Sequence, residues 1–217
     1  MLRFVNTAME QQWLQLNNSI NKMKKKILAL LLAIVSLTGC SSLQEGITSS
    51  YNMINCDYNY KSISGLTISG MNLSNGLSVT SIPKVTSILS GNASSIPLNF
   101  TLNMDVKNPN KSAAMLNGLQ YIISVDDIQF TTGSLNQTLN VAAGETQTLP
   151  INIGLDLATL MKNNSKDAVV DIAKNFIGIG SKKSNVTVQL KPTFMIGGVP
   201  ITSPSYIPVV FSFGGTK

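Results

Sequence analysis

Nine consecutive residues, Leu98 to Val106, alternate without a break. Leu98, Phe100, Leu102, Met104 and Val106 are apolar, and Asn99, Thr101, Asn103 and Asp105 between them are polar. A period of two describes a strand with one buried and one wet face. Such a strand is stable only if another layer covers its apolar side, so the segment commits the chain to packed β-structure. Lys107-Asn108-Pro109-Asn110 then stops the strand, because Pro109 has no N–H for a ladder and fixes its own φ.

Further strands are predicted on both sides. Ile63, Leu66, Ile68, Met71 and Leu73 lie among Ser and Gly, with kinks expected at Gly65 and Gly70. Asn75-Gly76 is a turn signal, and 77–82 reads as a short strand ended by Pro83. Lys84 to Ser95, with Val85, Ile88 and Leu89 at near-helical spacing, reads as a connection holding about one helical turn. Leu119, Tyr121, Ile123 and Val125 alternate up to Asp126-Asp127, where the run ends or turns tightly. Leu149, Ile151, Ile153 and Leu155 form a second one-sided strand, and Pro150 argues for a sheet edge or for a position whose N–H faces outward.

The period changes after Asp156. Val169, Ile172, Ala173 and Phe176 follow i, i+3, i+4, i+7. Ser165 is the expected N-cap, Asp167 lies in the first turn, and Gly178 stops the helix. Its polar face carries Lys166, Asp167, Asp171 and Lys174, both signs and no cationic excess, which reads as a solvated face and not a membrane-binding one. Strands return at Val186 to Leu190, around the Gly197-Gly198 turn, and at Ile207 to Phe213. The count is seven or eight short strands and one helix. The predicted fold class is mainly β, an immunoglobulin/fibronectin III-like antiparallel β-sandwich with one amphipathic helix. Phe100, Tyr121, Phe130, Phe194, Phe211 and Phe213, one or two per strand, are expected in its core.

The N-terminal part has a different character. Lys24, Lys25 and Lys26 precede the apolar run 27–37, and small residues follow. A basic segment, a short apolar core and a small-residue site make a secretory signal. Eleven residues reach roughly 16 Å as a helix, about half a hydrocarbon core, so the run is not a span. Leu37-Thr38-Gly39-Cys40 resembles the bacterial lipobox, which implies acylation of Cys40; the competing reading is an ordinary signal with an incidental Cys. The domain reading is therefore 1–22 as an over-extended N-terminus, 23–39 as lipoprotein signal peptide, 40–61 as lipidated Cys and tether, and 62–217 as the β domain. Ser41 follows Cys40 with no Asp to mark inner-membrane retention, so the expected location is the outer membrane of a Gram-negative envelope.

From Cys40 onward 11 Lys face 9 Asp/Glu, so the basic balance of the whole chain comes largely from the leader. No basic patch points to nucleic acid. With Cys40 acylated, Cys56 has no intramolecular partner, and a disulfide framework is excluded. Cys56 has no His or Arg beside it to lower its pKa and reads as a half-buried thiol at the lip of the domain; the competing reading is an intermolecular disulfide or a reactive thiol.

The strand, Asn-Pro-Asn, Tyr-bearing strand, acidic turn, and Gly-punctuated strands resemble the late embryogenesis abundant group 2 (LEA-2) family, also called the water-stress and hypersensitive-response (WHy) domain. The likeness is carried by Val106, Asn108, Pro109, Asn110, Leu119, Tyr121, Asp126, Gly133, Gly144 and Leu149-Pro150. It implies a folded, fibronectin-like domain, a role in desiccation or other stress, and no catalytic site. Asn108, Pro109, Asn110, Tyr121, Gly133 and Gly144 are its structural motif positions.

Chemistry is sparse. The chain has no His, which removes the commonest general base and transition-metal ligand. Asp126-Asp127 is the one adjacent acid pair and reads as a solvated turn with too few oxygens nearby for Ca²⁺. Gly178-Ile179-Gly180 follows a helix instead of opening one, so it is no phosphate loop. The expectation is no enzyme, no catalytic residue, no metal and no cofactor. Two functions compete: a non-enzymatic stress-protective lipoprotein held to the bilayer through acylated Cys40, and a binding module that holds an envelope protein or a small apolar ligand.

Overall fold

In the computed structural model, residues 43–74, 78 and 80–214 are described. The expected signal segment, Cys40 and the expected turn at Asn75-Gly76 fall outside them. The chain divides into two units, Met1–Glu45 and Gly46–Lys217, and the architecture is that of the second. Helix α1 covers 43–54, of which 46–54 belong to this unit. Then come β1 (Asp57–Ile68), β2 (Met71–Asn72), α2 (Ser81–Ser90), β3 (Pro97–Lys107), β4 (Ala114–Leu116), β5 (Gly118–Val125), β6 (Ile128–Leu135), β7 (Leu139–Val141) and β8 (Thr146–Asp156). Helices α3 (Leu157–Asn163) and α4 (Lys166–Phe176) follow, then β9 (Lys183–Ile196), β10 (Val199–Thr202) and β11 (Ile207–Gly214).

All pairings are antiparallel. One sheet runs β2-β1-β3-β8, the other β10-β9-β5-β6 with β11 also on β9, and β4-β7 form a small pair. The expectation of a mainly β protein with antiparallel sheets is met. In finer form, what is seen is a curled half-barrel. Two bulges in the β1–β3 ladder, at Tyr60/Ser62 and Ser64/Thr67, raise the local twist and curl the first sheet. Helix α4 wedges into one end, where the Phe176 ring lies 4.6 Å from Phe100 and 4.7 Å from Phe213, centroid to centroid.

Strand β3 is central and behaves as its alternation requires. Leu98, Phe100, Leu102, Met104 and Val106 are all buried. Leu149, Ile151 and Ile153 of β8 extend that face, and β8 is a sheet edge, one of the two positions that Pro150 allows. Leu119, Tyr121, Ile123, Val125, Val186, Val188 and Leu190 supply the facing layer. The gap between the layers, lined by Ile63, Phe100, Leu102, Ile123, Phe130 and Phe211 among others, measures about 10 Å³. That is at most one water's worth of space, so the interior is filled by its own side chains.

Two expectations are corrected. Four helices are present among the described residues, where one was expected. Pro83 does not end a strand, because residues 81 and 82 before it are already helical. It lies in the first turn of α2, where its missing N–H has no helical partner to lose. Within the stretch read as a tether partly ordered near its end, residues 43–54 are helical, Met53 is fully buried, and β1 starts at Asp57. Helix α4 follows the expected caps, with the Ser165 hydroxyl accepting from Ala168 N and Gly178 at φ +81°.

Asp156 joins the sheet to α3. Its carboxylate accepts from Ile96 N at 2.9 Å, Ser95 Oγ at 2.6 Å and Ala158 N at 2.8 Å. These donors hold its pKa below the usual carboxylate value, the Ile96 N–H most of all. A depressed folded pKa means that the stabilisation is full above the ordinary value. It is lost as pH falls through the folded value. Asp156→Ala should lower stability by about 1 kcal/mol at pH 7, after allowance for solvent at this half-exposed cap. In urea melts the difference from the parent should shrink below about pH 4 and stay flat above it.

Candidate functional site: an asparagine hub beneath a polar sheet face

Of the predicted motif residues, Asn108 holds the most connections. β3 ends at Lys107, and Pro109, exposed, forces the chain to turn. The turn carries the Asn108 side chain inward until it is fully buried. Its Nδ2 donates to Ser112 O at 2.9 Å, Val141 O at 2.9 Å and Ala142 O at 3.2 Å. Its Oδ1 accepts from Asn110 N at 3.0 Å and Asn110 Nδ2 at 2.8 Å. Its backbone N–H donates to Glu145 O and its C=O accepts from Gly144 N, both at 2.9 Å. One amide thus ties the end of β3 to the β7–β8 turn, and Gly144, at φ +75°, lets that turn come back.

Asn110 carries the network to α1 by donating to Asn52 O at 3.1 Å. Asn52, itself buried, donates through Nδ2 to Ser112 Oγ at 2.8 Å, Ser112 O at 3.2 Å and Ala113 O at 3.1 Å. Sequence reasoning missed Asn52, which stands in a Ser- and Asn-rich stretch with nothing local to single it out. Among the described residues, no buried side-chain polar atom lacks a partner. The hub is a structural joint, with its bonds already spent.

Tyr121 and Gly133 are also brought together, as directly paired residues of β5 and β6. The ring lies across the glycine, and a Cβ there would overlap the Tyr121 hydroxyl. That hydroxyl reaches Asn152 O of β8 at 3.4 Å. The contact links the two sheets. Gly133→Ala should therefore displace a buried ring and cost about 1–3 kcal/mol. Tyr121→Phe should cost less than 1 kcal/mol because the lost bond is long, and thermal melts of the two variants would separate these causes.

The outer face of β1-β3-β8 bears the other half of the alternation. Thr101 Oγ1 donates to Asn152 Oδ1 at 2.8 Å, and Asn103 Nδ2 to Ser64 Oγ at 2.9 Å and Ser62 Oγ at 3.2 Å. Lys61, on a bulge, reaches Asp105 Oδ1 at 3.0 Å and Thr148 Oγ1 at 2.7 Å. Lys61 and Thr148 together hold the Asp105 carboxylate below its usual pKa. A shallow cleft of about 290 Å³ opens in this face at Gly65, Asn99, Thr101, Asn152 and Gly154.

The remaining candidates are quiet. Asp126 and Asp127 form the two-residue β5–β6 turn, both at positive φ, and Asp126 Oδ1 accepts from Asn185 N at 2.8 Å. The Ile179 and Gly180 N–H groups both donate to Lys174 O at 3.0 Å and offer an anion nothing. Cys56 is buried, its Sγ 3.3 Å from Asn52 O, and burial together with Asp57 pushes the thiol up to about 11. No three His, Cys, Asp or Glu side chains among the described residues converge as metal ligands.

Comparison with known proteins gives one family. The model described as "Late embryogenesis abundant protein" (LEA_2) matches residues 103–205. That range contains Asn108, Pro109, Asn110, Tyr121, Gly133 and Gly144. Solved structures with a similar course include a protein from Archaeoglobus fulgidus, at 14% identity and TM-score 0.36, covering 73% of this chain and 99% of that one. An Arabidopsis thaliana protein solved in solution is 11% identical at TM-score 0.42, covering 72% and 80%. A third, put forward as a late embryogenesis abundant (LEA) protein, is 12% identical at TM-score 0.37, covering 88% and 89%. The search of curated proteins finds no match. Over residues 103–205, then, the chain carries a LEA-2-like domain.

Proposed function

We propose that this is a non-enzymatic lipoprotein, held in the outer membrane of a Gram-negative envelope by acylated Cys40, that protects the envelope during desiccation or related stress. Its half-barrel is read as a curled form of the fibronectin-like sandwich that the resemblance implies. The family-model match over residues 103–205 carries this reading. The polar sheet face supports it on physical grounds. Drying removes the water that satisfies surface polar groups, and groups already bonded to one another lose least. Thr101, Asn103 and Asp105 each have a cross-strand partner, and charged residues are only 12% of the chain. Recovery of a deletion strain after drying tests it: the strain should survive worse than its parent, and equal survival removes the stress role.

A second reading, a binding module for an envelope protein, rests on the cleft at Asn99, Thr101 and Asn152, whose amides and hydroxyl suit an extended polar ligand. An apolar ligand inside the domain is disfavoured by the filled gap between the layers. Substituting Thr101→Tyr would block the cleft. A capture from envelope extracts that is identical with and without it would end this reading.

A further inference from the structure

Helix α1 is turned inside out. Its protein-facing side carries Ser50 and Asn52 together with Met53, all buried. Ile47, Tyr51 and Ile54, which share one face by their i, i+4, i+7 spacing, point to solvent, 56%, 67% and 42% exposed. A surface helix ordinarily does the reverse. The β9–β10 hairpin adjoins the helix at Gly46. Gly46 packs against the backbone of Met195 and Ile196 at the β9–β10 hairpin, where Val199 and Ile201 are 58% and 46% exposed. No charged residue occurs from Gly46 to Cys56.

We infer that the Ile47-Tyr51-Ile54 face of α1, with the β9–β10 hairpin beside it, is the surface on which the domain lies against the phospholipid bilayer. The inference rests on the proposed acylation of Cys40 and deepens it. Cys40 precedes Ile47 by seven residues, no more than about 25 Å of chain even when fully extended, so an acylated Cys40 keeps this face within reach of the headgroups. Tyr suits the interface, where its ring is apolar and its hydroxyl stays wet. Three apolar side chains without basic neighbours bind bilayers weakly from solution. A tether supplies the effective concentration that makes weak contact sufficient. Without charge in the contact, the docking does not depend on ionic strength.

The test uses the chain exported and processed by cells, purified from membranes and returned to vesicles of phosphatidylethanolamine and phosphatidylglycerol. A polarity-sensitive dye is placed at Tyr51→Cys and, separately, at Gln129→Cys beside the β5–β6 turn, at the opposite end of β5 from the hairpin. Cys56 is buried and stays unlabelled. The expected result is strong quenching by spin-labelled lipid at position 51, unchanged by salt, and little at 129. Ile47→Ser with Ile54→Ser should reduce the quenching several-fold while the protein stays anchored. An anchored protein with no quenching at 51, or with equal quenching at both positions, overturns the docking and leaves the anchor standing. Sedimentation showing that the face instead joins two copies also overturns it. An unmodified Cys40 in the same preparation overturns the anchor, and the docking with it.

Discussion

An Asn108→Asp chain is expected to fold poorly at 37 °C. The two side chains have one shape and differ in a single group. Nδ2 faces three backbone carbonyls, Ser112 O, Val141 O and Ala142 O, and an oxygen in its place turns three attractions into repulsions. The site is fully buried, so a carboxylate there would be an unpaired charge in low dielectric. The loss should be about 3–5 kcal/mol, a large share of the stability of a domain this size. Asn108→Ala removes the donor without adding a charge and should cost about 2–4 kcal/mol. Asn110→Ala, half-buried and with fewer bonds, should cost about 1 kcal/mol. Urea midpoints of the three should fall in that order. Equal midpoints would show that the Asn108 network contributes no more than an ordinary turn.

Cys40→Ser is expected to have the larger effect on location and almost none on the domain. One acyl chain of about 15 methylenes contributes on the order of 12 kcal/mol to membrane partitioning, and further chains make the attachment effectively permanent. No helix among the described residues is long and apolar enough to cross a membrane. With the proposed acylation site gone, the α1 face alone should not retain the protein. Cell fractionation should find the variant in the soluble envelope fraction, with circular dichroism and melting unchanged. A variant still in the membrane pellet would mean that another feature holds the parent there.

Much of the β-structure is legible because its signal is local. Period two over 98–106 and 149–155 needs no tertiary knowledge, and the edge position of β8 is one of the two that Pro150 allows. The α4 helix announces itself through Ser165, Asp167 and Gly178. What escaped depends on distance or on an inverted rule. Helix α1 has the right spacing in Ile47, Tyr51 and Ile54, but its apolar face is the one turned to solvent. In α2, Pro83 reads as a stop although a first-turn proline breaks no bond. Asn108 looks like a turn residue from its neighbours. Its role as a joint appears only when Val141, 33 positions on, is brought beside it. Tyr121 and Gly133 likewise become a pair only through the β5–β6 register.

The central claim is that a chemically quiet, LEA-2-like β domain is moored to a bilayer through one cysteine. Mass spectrometry of the N-terminal peptide, taken from protein made in a Gram-negative host and extracted from its membranes, tests it most directly. The account predicts a chain that begins at residue 40 with fatty acyl groups on that Cys. A chain still carrying residues 23–39, or one beginning elsewhere with an unmodified thiol at position 40, would contradict it.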